Sequence, residues 1–235
     1  MKTNKQNLGR IIVPSGVKPV HSFDLWGVLV IQDVLGPRVI SAYQTLMQGH
    51  ESSEKIQENM RGYNGVLKGE KTALARKKEF VDSVEDPLWD AYMKGIIDVN
   101  FDGAIYDDAI SVMKEITEAG EGLCILTTGN SPWVKKAIAT IDSLVGKNLI
   151  KVYSGNKALP EAYELAAQDL LAQKSRMVSH TEDQLKGLAG ILQSELKKTV
   201  KLVYVERANL ATPDEIAAAG IDLYVSDLRC VDYTK

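Results

Sequence analysis

Between residues 23 and 30 the chain reads Phe-Asp-Leu-Trp-Gly-Val-Leu-Val, apolar except at Asp24 and Gly27. Such a run predicts a strand buried on both faces, where an unpaired carboxylate is costly. Two readings of Asp24 follow. It is either a structural residue capping backbone N–H groups where the strand ends, or a nucleophile at the carboxyl end of a central parallel strand, where open α/β sheets form their ligand crevices.

From 31 to 100 the periodicity turns helical, with no convincing strand. Val39, Ile40, Tyr43, Leu46 and Met47 share one face, Gly49 stops that helix, and further helical segments span 53–62, 72–83 and 87–94. A helical stretch this long exceeds a simple crossover and predicts an inserted cap over 31–100. Beyond it, helix and strand alternate. Tyr106, Ile110, Met113 and Ile116 form an apolar stripe that ends at Gly120. Strand 123–126 runs into Thr127-Thr128-Gly129-Asn130, and Ser131-Pro132 opens the next helix. Strand 150–153 leads to Gly155-Asn156-Lys157 and a helix begun by Pro160, with Tyr163, Ala166, Ala167 and Leu170 on one side. Strand 176–179 is followed by His180-Thr181-Glu182-Asp183 and a helix through Leu185, Leu188, Leu192 and Leu196. Strands 202–205 and 223–225 flank a helix begun by Thr212-Pro213. This alternation predicts an α/β fold: a Rossmann-like parallel sheet with helices on both faces, built from 21–30 and 101–235. Residues 1–20, polar and carrying Pro14, Gly16 and Pro19, read as an N-terminal arm.

A formal charge of −3 offers no electrostatic footprint for nucleic acid or an anionic membrane, so the expected partner is a small molecule or another protein. The two cysteines, Cys124 and Cys230, make neither a disulfide framework nor a zinc spacing, and Cys124 in its apolar run reads as a buried thiol. The first twenty residues lack the apolar core of a secretory signal, and no run is long enough to span a bilayer, so a cytoplasmic location is expected. The oligomeric state is left open.

Polar groups end each of the first strands: Asp24, Thr127, Lys157 in the loop after the third, and the group 179–183. On parallel neighbours they converge at one sheet edge, where a carboxylate, a hydroxyl and an ammonium can attack, orient and neutralise an anionic substrate. This order of Asp-x-x-Gly, Thr, Lys and an acidic loop resembles the haloacid dehalogenase superfamily with a helical, C1-type cap. Lys-Ala-Leu-Pro-Glu-Ala-Tyr at 157–163 is similar to that family's Lys-Pro-x-Pro-x-x-Tyr run, with Tyr163 in the matching place.

The resemblance implies that Asp24 forms a covalent aspartyl intermediate, that Thr127 hydrogen-bonds the transferring group and that Lys157 neutralises charge. It also implies substrate contacts from Trp26, Gly27, Thr128, Gly129 and Asn130. Magnesium would be held by Asp24, the Trp26 backbone carbonyl, Glu182 and Asp183. Substrate choice would lie in the cap, where Arg61, Lys68, Lys71 and Arg76 either reach an anionic substrate or form a solvated helical face.

Two positions depart from the family pattern. Phosphatases of the family carry a second carboxylate two residues after the nucleophile, where this chain has Trp26; indole cannot shuttle that proton. Its loss should cost roughly two to four orders of magnitude on a poor leaving group. The metal-binding pair expected after the fourth strand is replaced by Ser179-His180, leaving Glu182 or Asp183 to reach the metal from the first helical turn. His180 reads either as a proton carrier or as a structural histidine at a strand end.

Three functional readings follow. The first is a magnesium-dependent phosphohydrolase for phosphomonoesters or acyl and aryl phosphates, with altered acid–base chemistry. Another is a catalytically silent binding or interaction protein. The third is a metal-independent hydrolase resembling the 2-haloacid dehalogenases, which carry an aromatic residue at the Trp26 position and a Val-Ser pair similar to Val178-Ser179.

Overall fold

The strand that carries Asp24 lies before it. β2 spans Lys18–Phe23, and the apolar residues after Asp24 leave the sheet. In the computed structural model, which describes residues 5–9, 11–35, 37, 38, 41, 99–128, 132–146, 150–207 and 211–234, residues 25–30 form a buried loop. The Leu29 and Val30 N–H groups both donate to the Leu25 carbonyl, at 3.2 and 2.9 Å, and Gly27 N–H donates to Val30 O at 3.0 Å. Leu25, Val28, Leu29 and Val30 are fully buried. The expectation of a strand across 23–30 is therefore corrected: the run is apolar because the core surrounds the loop, with backbone groups satisfied locally.

A short β1 (Gln6–Asn7) precedes β2, and α1 (Asp107–Glu118) leads into β3 (Gly122–Thr127). Then follow α2 (Pro132–Val145), β4 (Ile150–Ser154), α3 (Pro160–Ala172), β5 (Ser175–Glu182) and α4 (Leu185–Gln193). β6 (Lys201–Val205), α5 (Pro213–Ala219), β7 (Leu223–Val225) and β8 (Val231–Asp232) complete the chain. Six parallel strands form one sheet in the order β4-β3-β2-β5-β6-β7, so the α/β parallel architecture stands as expected. Connections run outward from β2 on one side and from β5 on the other, which makes the β2/β5 boundary the switch point of the sheet.

Each face is closed by amphipathic helices. Ala109, Val112, Met113 and Ile116 of α1 and Val134, Ala137 and Ile141 of α2 pack with the 25–30 loop on one side. Tyr163, Ala166 and Leu170 of α3, Leu188 and Ile191 of α4 and Ile216 of α5 pack with Val20, Cys124 and Leu202 on the other. Cys124 is the buried thiol expected. α5 starts at a full capping box between Thr212 and Glu215.

Within the N-terminal stretch a short strand forms. Gln6 and Asn7 pair in parallel with Val231 and Asp232, and the sheet begins at Lys18, inside the residues read as polar leader. The predicted cap lies almost wholly outside the described residues, as do Arg61, Lys68, Lys71 and Arg76; its first residues, 32–35, are helical. The chain segments that lead into and return from residues 31–100 bond to each other: Ile31 N–H donates to Ala104 O at 2.8 Å and Tyr106 N–H to Leu29 O at 3.0 Å. No helix among the described residues is long and apolar enough to cross a membrane.

Candidate active site

Asp24 sits one residue beyond β2, its N–H donating to Thr181 O of β5 at 2.9 Å. It is thereby seated at the switch point, and it is buried, 4 % exposed. Lys157 reaches it from the loop between β4 and α3. That loop is shaped by an Asn156 side chain accepting from Ala158 N–H at 3.1 Å, and tied down by Gly155 N–H to Thr127 O at 3.0 Å and Gly190 N–H to Lys157 O at 2.9 Å. The Lys157 ammonium lies 2.5 Å from Asp24 Oδ1 and 2.5 Å from Glu182 Oε2, bridging the two carboxylates.

The acidic pair is where the structure changes the sequence reading most. β5 continues to Glu182, so Ser179 and His180 are interior strand residues, and Glu182-Asp183 forms the strand end. Neither acid acts from a helical turn, since α4 begins at Leu185. A register shift places Val20 opposite Met177 but His21 opposite Ser179, which marks a β-bulge around Val178. The bulge reverses the alternation of the strand. Met177 faces the α3 side, and after the bulge His180 and Glu182 do as well, which turns Glu182 onto Lys157.

His180 is fully buried and structural: Nδ1 lies 3.0 Å from Ser22 Oγ, Nε2 3.2 Å from Tyr163 Oη, and burial holds its pKa below the ordinary value. The Tyr163 hydroxyl in turn donates to Gly187 O at 2.5 Å.

Asp24, Glu182 and Asp183 each present a carboxylate oxygen within 4.8 Å of the others. Gly27 closes the cluster from the loop side. Its φ of +90° is a conformation side chains resist, and a Cβ there would stand 2.0 Å from Asp183 Oδ2. Electrostatics records the crowding. Burial and the Glu182 charge push Asp24 up to about 7, against the pull of Lys157. Burial and the charges of Glu182 and Asp24 push Asp183 up to about 9. Burial opposes ionisation of Glu182 as well, yet Lys157 and His180 together draw it down to about 2. For Lys157, burial works against the ammonium, but the Asp24 and Glu182 charges outweigh it and raise its pKa.

These residues fit a divalent cation. Fully ionised, three carboxylates facing one ammonium would carry two uncompensated negative charges; all donors are hard oxygens, and Asp183 Oδ1 is buried without a hydrogen-bond partner.

Of the other residues implied by the resemblance, Thr127 ends β3 wholly buried, Thr128 is exposed just beyond it, and Trp26 is half-buried against the core. Gly129 and Asn130 lie outside the described residues. Sequence reasoning passed over Asp108 and Arg207, a buried ion pair at the same edge of the sheet, 99 residues apart in the chain. Its only sequence signal is a charged Glu206-Arg207 directly after a buried strand.

A strand-end aspartate, a lysine and an acidic pair gathered at the switch point of a helix-flanked parallel sheet define the core of one hydrolase class. A sequence model of the haloacid dehalogenase-like hydrolases matches residues 22–194, and the chain belongs to that family. Solved structures agree in fold. A haloacid dehalogenase-like hydrolase from Burkholderia xenovorans LB400 superposes with a TM-score of 0.62 at 17 % identity, over 90 % of this chain and 94 % of that one. CbbY from Rhodobacter sphaeroides, in complex with xylulose-(1,5)bisphosphate, gives 0.53 at 15 % identity over 90 % and 95 %. A predicted phosphatase from Clostridium acetobutylicum gives 0.52 at 14 % over 91 % and 95 %. No curated protein matches the sequence.

Proposed function

We propose that the protein is a magnesium-dependent hydrolase of phosphomonoesters or acyl and aryl phosphates that works through a covalent intermediate on Asp24. The observation that carries this reading is the carboxylate trio of Asp24, Glu182 and Asp183 beside Lys157. A 2-haloacid dehalogenase needs no metal, and so has no use for three carboxyl groups within reach of one cation. A silent module has no use for a cluster whose excess charge opposes its own ionisation.

Bound magnesium would be held by Asp24, Glu182 and Asp183, with the Trp26 carbonyl as a further oxygen, and would supply positive charge to the transferring phosphoryl group. The chain's own residues do the rest. Lys157 opposes the burial that disfavours the Asp24 carboxylate and lowers the repulsion between that carboxylate and an anionic substrate. Asp24 attacks phosphorus, the P–O bond to the leaving group breaks, and the leaving oxygen carries away the electron pair. Thr127 hydrogen-bonds the transferring group. Water then attacks the acyl phosphate, releasing phosphate and restoring Asp24. The Trp26 indole can donate a hydrogen bond but has no titratable group to give a proton in the first step or take one in the second, so the enzyme favours leaving groups that depart as stable anions. The substrate is small and anionic; neither nucleic acid nor membrane is a partner, and the location is cytoplasmic.

The test is hydrolysis of an activated aryl phosphate with magnesium, with EDTA, and with Asp24→Asn. Turnover that requires both magnesium and Asp24 supports the reading. Turnover that survives EDTA or Asp24→Asn, or no turnover in any arm, overturns it; halide release from a 2-halocarboxylate would then favour the dehalogenase alternative.

A further inference from the structure

Arg207 stands two residues beyond β6, past the same sheet edge as Asp24 and Asp183. The proposed chemistry makes no use of it, yet its side chain is only 9 % exposed, with Nε buried without a hydrogen-bond partner and Nη2 carrying the polar contacts. Nη2 donates to both oxygens of Asp108, at 2.9 and 3.0 Å, and lies 3.4 Å from the Val28 carbonyl. The guanidinium also sits over the Tyr106 ring, with Cζ 3.9 Å from its centroid. Asp108 is fixed in turn, Oδ1 accepting from Ala109 N–H at 2.9 Å and Oδ2 from Leu228 N–H at 2.8 Å.

A buried ion pair adds little net stability over apolar packing of the same volume. What a planar guanidinium held by a carboxylate and stacked on a ring does supply is a defined geometry. Here it joins three segments. Val28 belongs to the loop that starts at Asp24. Tyr106 marks the point where the chain returns from residues 31–100, and its N–H is bonded to Leu29 O. Arg207 itself follows the end of β6 by two residues. The two crossings between the core and the 31–100 insert bond to each other at Ile31–Ala104 and Leu29–Tyr106, and Arg207 meets them on the Tyr106 ring and the Val28 carbonyl.

We propose that Arg207, held by Asp108 and stacked on Tyr106, is a positioning residue: it anchors the paired crossings to the sheet and, through Val28, sets the loop that presents Asp24. The catalytic half of this inference rests on the hydrolase reading above; the structural half does not.

The experiment compares Arg207→Met, Tyr106→Ala and Tyr106→Phe with wild type by amide hydrogen exchange, thermal unfolding, magnesium titration and aryl phosphate kinetics. In Arg207→Met and Tyr106→Ala the Ile31 and Tyr106 amides should exchange roughly tenfold faster or more, while amides within β3 keep their rates. With Asp24 displaced, kcat should fall by about 100-fold with little change in KM, and magnesium affinity should weaken along with it, because Asp24 and the Trp26 carbonyl are among the groups that would hold the ion. Tyr106→Phe, which keeps the ring under the guanidinium, should restore wild-type exchange and kcat. Unchanged crossing amides would overturn the proposal. So would exchange that rises uniformly through the sheet while kcat per folded molecule is preserved, the signature of a merely structural pair. If wild type hydrolyses no phosphate, the hydrolase reading fails, and the exchange measurement still decides the anchor.

Discussion

Asp183→Asn is expected to stabilise the metal-free protein and to remove its response to magnesium. Asp183 is buried with Oδ1 unpartnered, and its carboxyl is pushed from 3.8 up to about 9, first by burial and then by the Glu182 and Asp24 charges. In the unfolded chain the same carboxyl ionises near its ordinary value, so at neutral pH folding takes up a proton. A carboxyl whose folded pKa is raised carries no penalty below the unfolded pKa, and one that grows as pH climbs toward the folded pKa. Three pH units between 4 and 7, at 1.36 kcal/mol each, amount to about 4 kcal/mol. Asp24, itself pushed up to about 7 largely by burial, shares this excess charge. Neutralising Asp183 should therefore relieve roughly half, or about 2 kcal/mol at pH 7.

For a chain of this length that gain corresponds to a rise in Tm of about 4–8 °C. Circular dichroism melts in EDTA from pH 4 to pH 8 should show the two proteins alike at the acid end and the variant increasingly ahead as pH rises. Magnesium should invert the order. Wild type gains about 2.7 kcal/mol at a hundredfold excess over Kd, and a variant missing one carboxylate ligand gains far less. If Asp183→Asn melts below wild type at pH 7 in EDTA, or if magnesium raises both melting points equally, the account of the cluster as a cation site is refuted.

Gly27→Ala forces a side chain into φ +90° with its Cβ 2.0 Å from Asp183 Oδ2. The backbone should lose about 1–2 kcal/mol, read from the urea midpoint, and the displaced Asp183 should weaken magnesium binding by roughly 10- to 100-fold by calorimetry; unchanged affinity would place Asp183 outside the metal site. Trp26→Asp restores a titratable group two residues after the nucleophile and should raise kcat/KM for alkyl phosphates relative to aryl phosphates, by up to ~10²-fold or more. The half-buried indole packs on the core, so the variant should also lose roughly 3–5 kcal/mol of stability and is best assayed in the cold; an unchanged alkyl-to-aryl ratio would show that the missing carboxylate does not limit the reaction.

Asp24, Lys157, Glu182 and Asp183 were legible in the sequence because charge at the ends of apolar strands has few structural uses, and the alternation of elements placed those ends on one edge. The strand limits were not legible, and both errors have one physical cause. β2 reads Lys-Pro-Val-His-Ser-Phe, too polar for a central strand, and the second half of β5 reads Ser-His-Thr-Glu. These polar side chains are tolerated at the centre of the sheet because they satisfy one another across it. His21 Nδ1 lies 2.7 Å from Ser179 Oγ, His180 Nδ1 lies 3.0 Å from Ser22 Oγ, and the Thr181 hydroxyl lies 3.0 Å from that of Tyr233. A pattern rule judges each residue alone, so it ended β5 at Ser179 and moved the first strand onto the more apolar 23–30 loop. Once both strands take their observed limits, the apparent loss of the acidic motif at Ser179-His180 disappears. Glu182-Asp183 stands at the strand end, the bulge at Val178 turns Glu182 toward Lys157, and Trp26 is the departure on which the proposed chemistry turns.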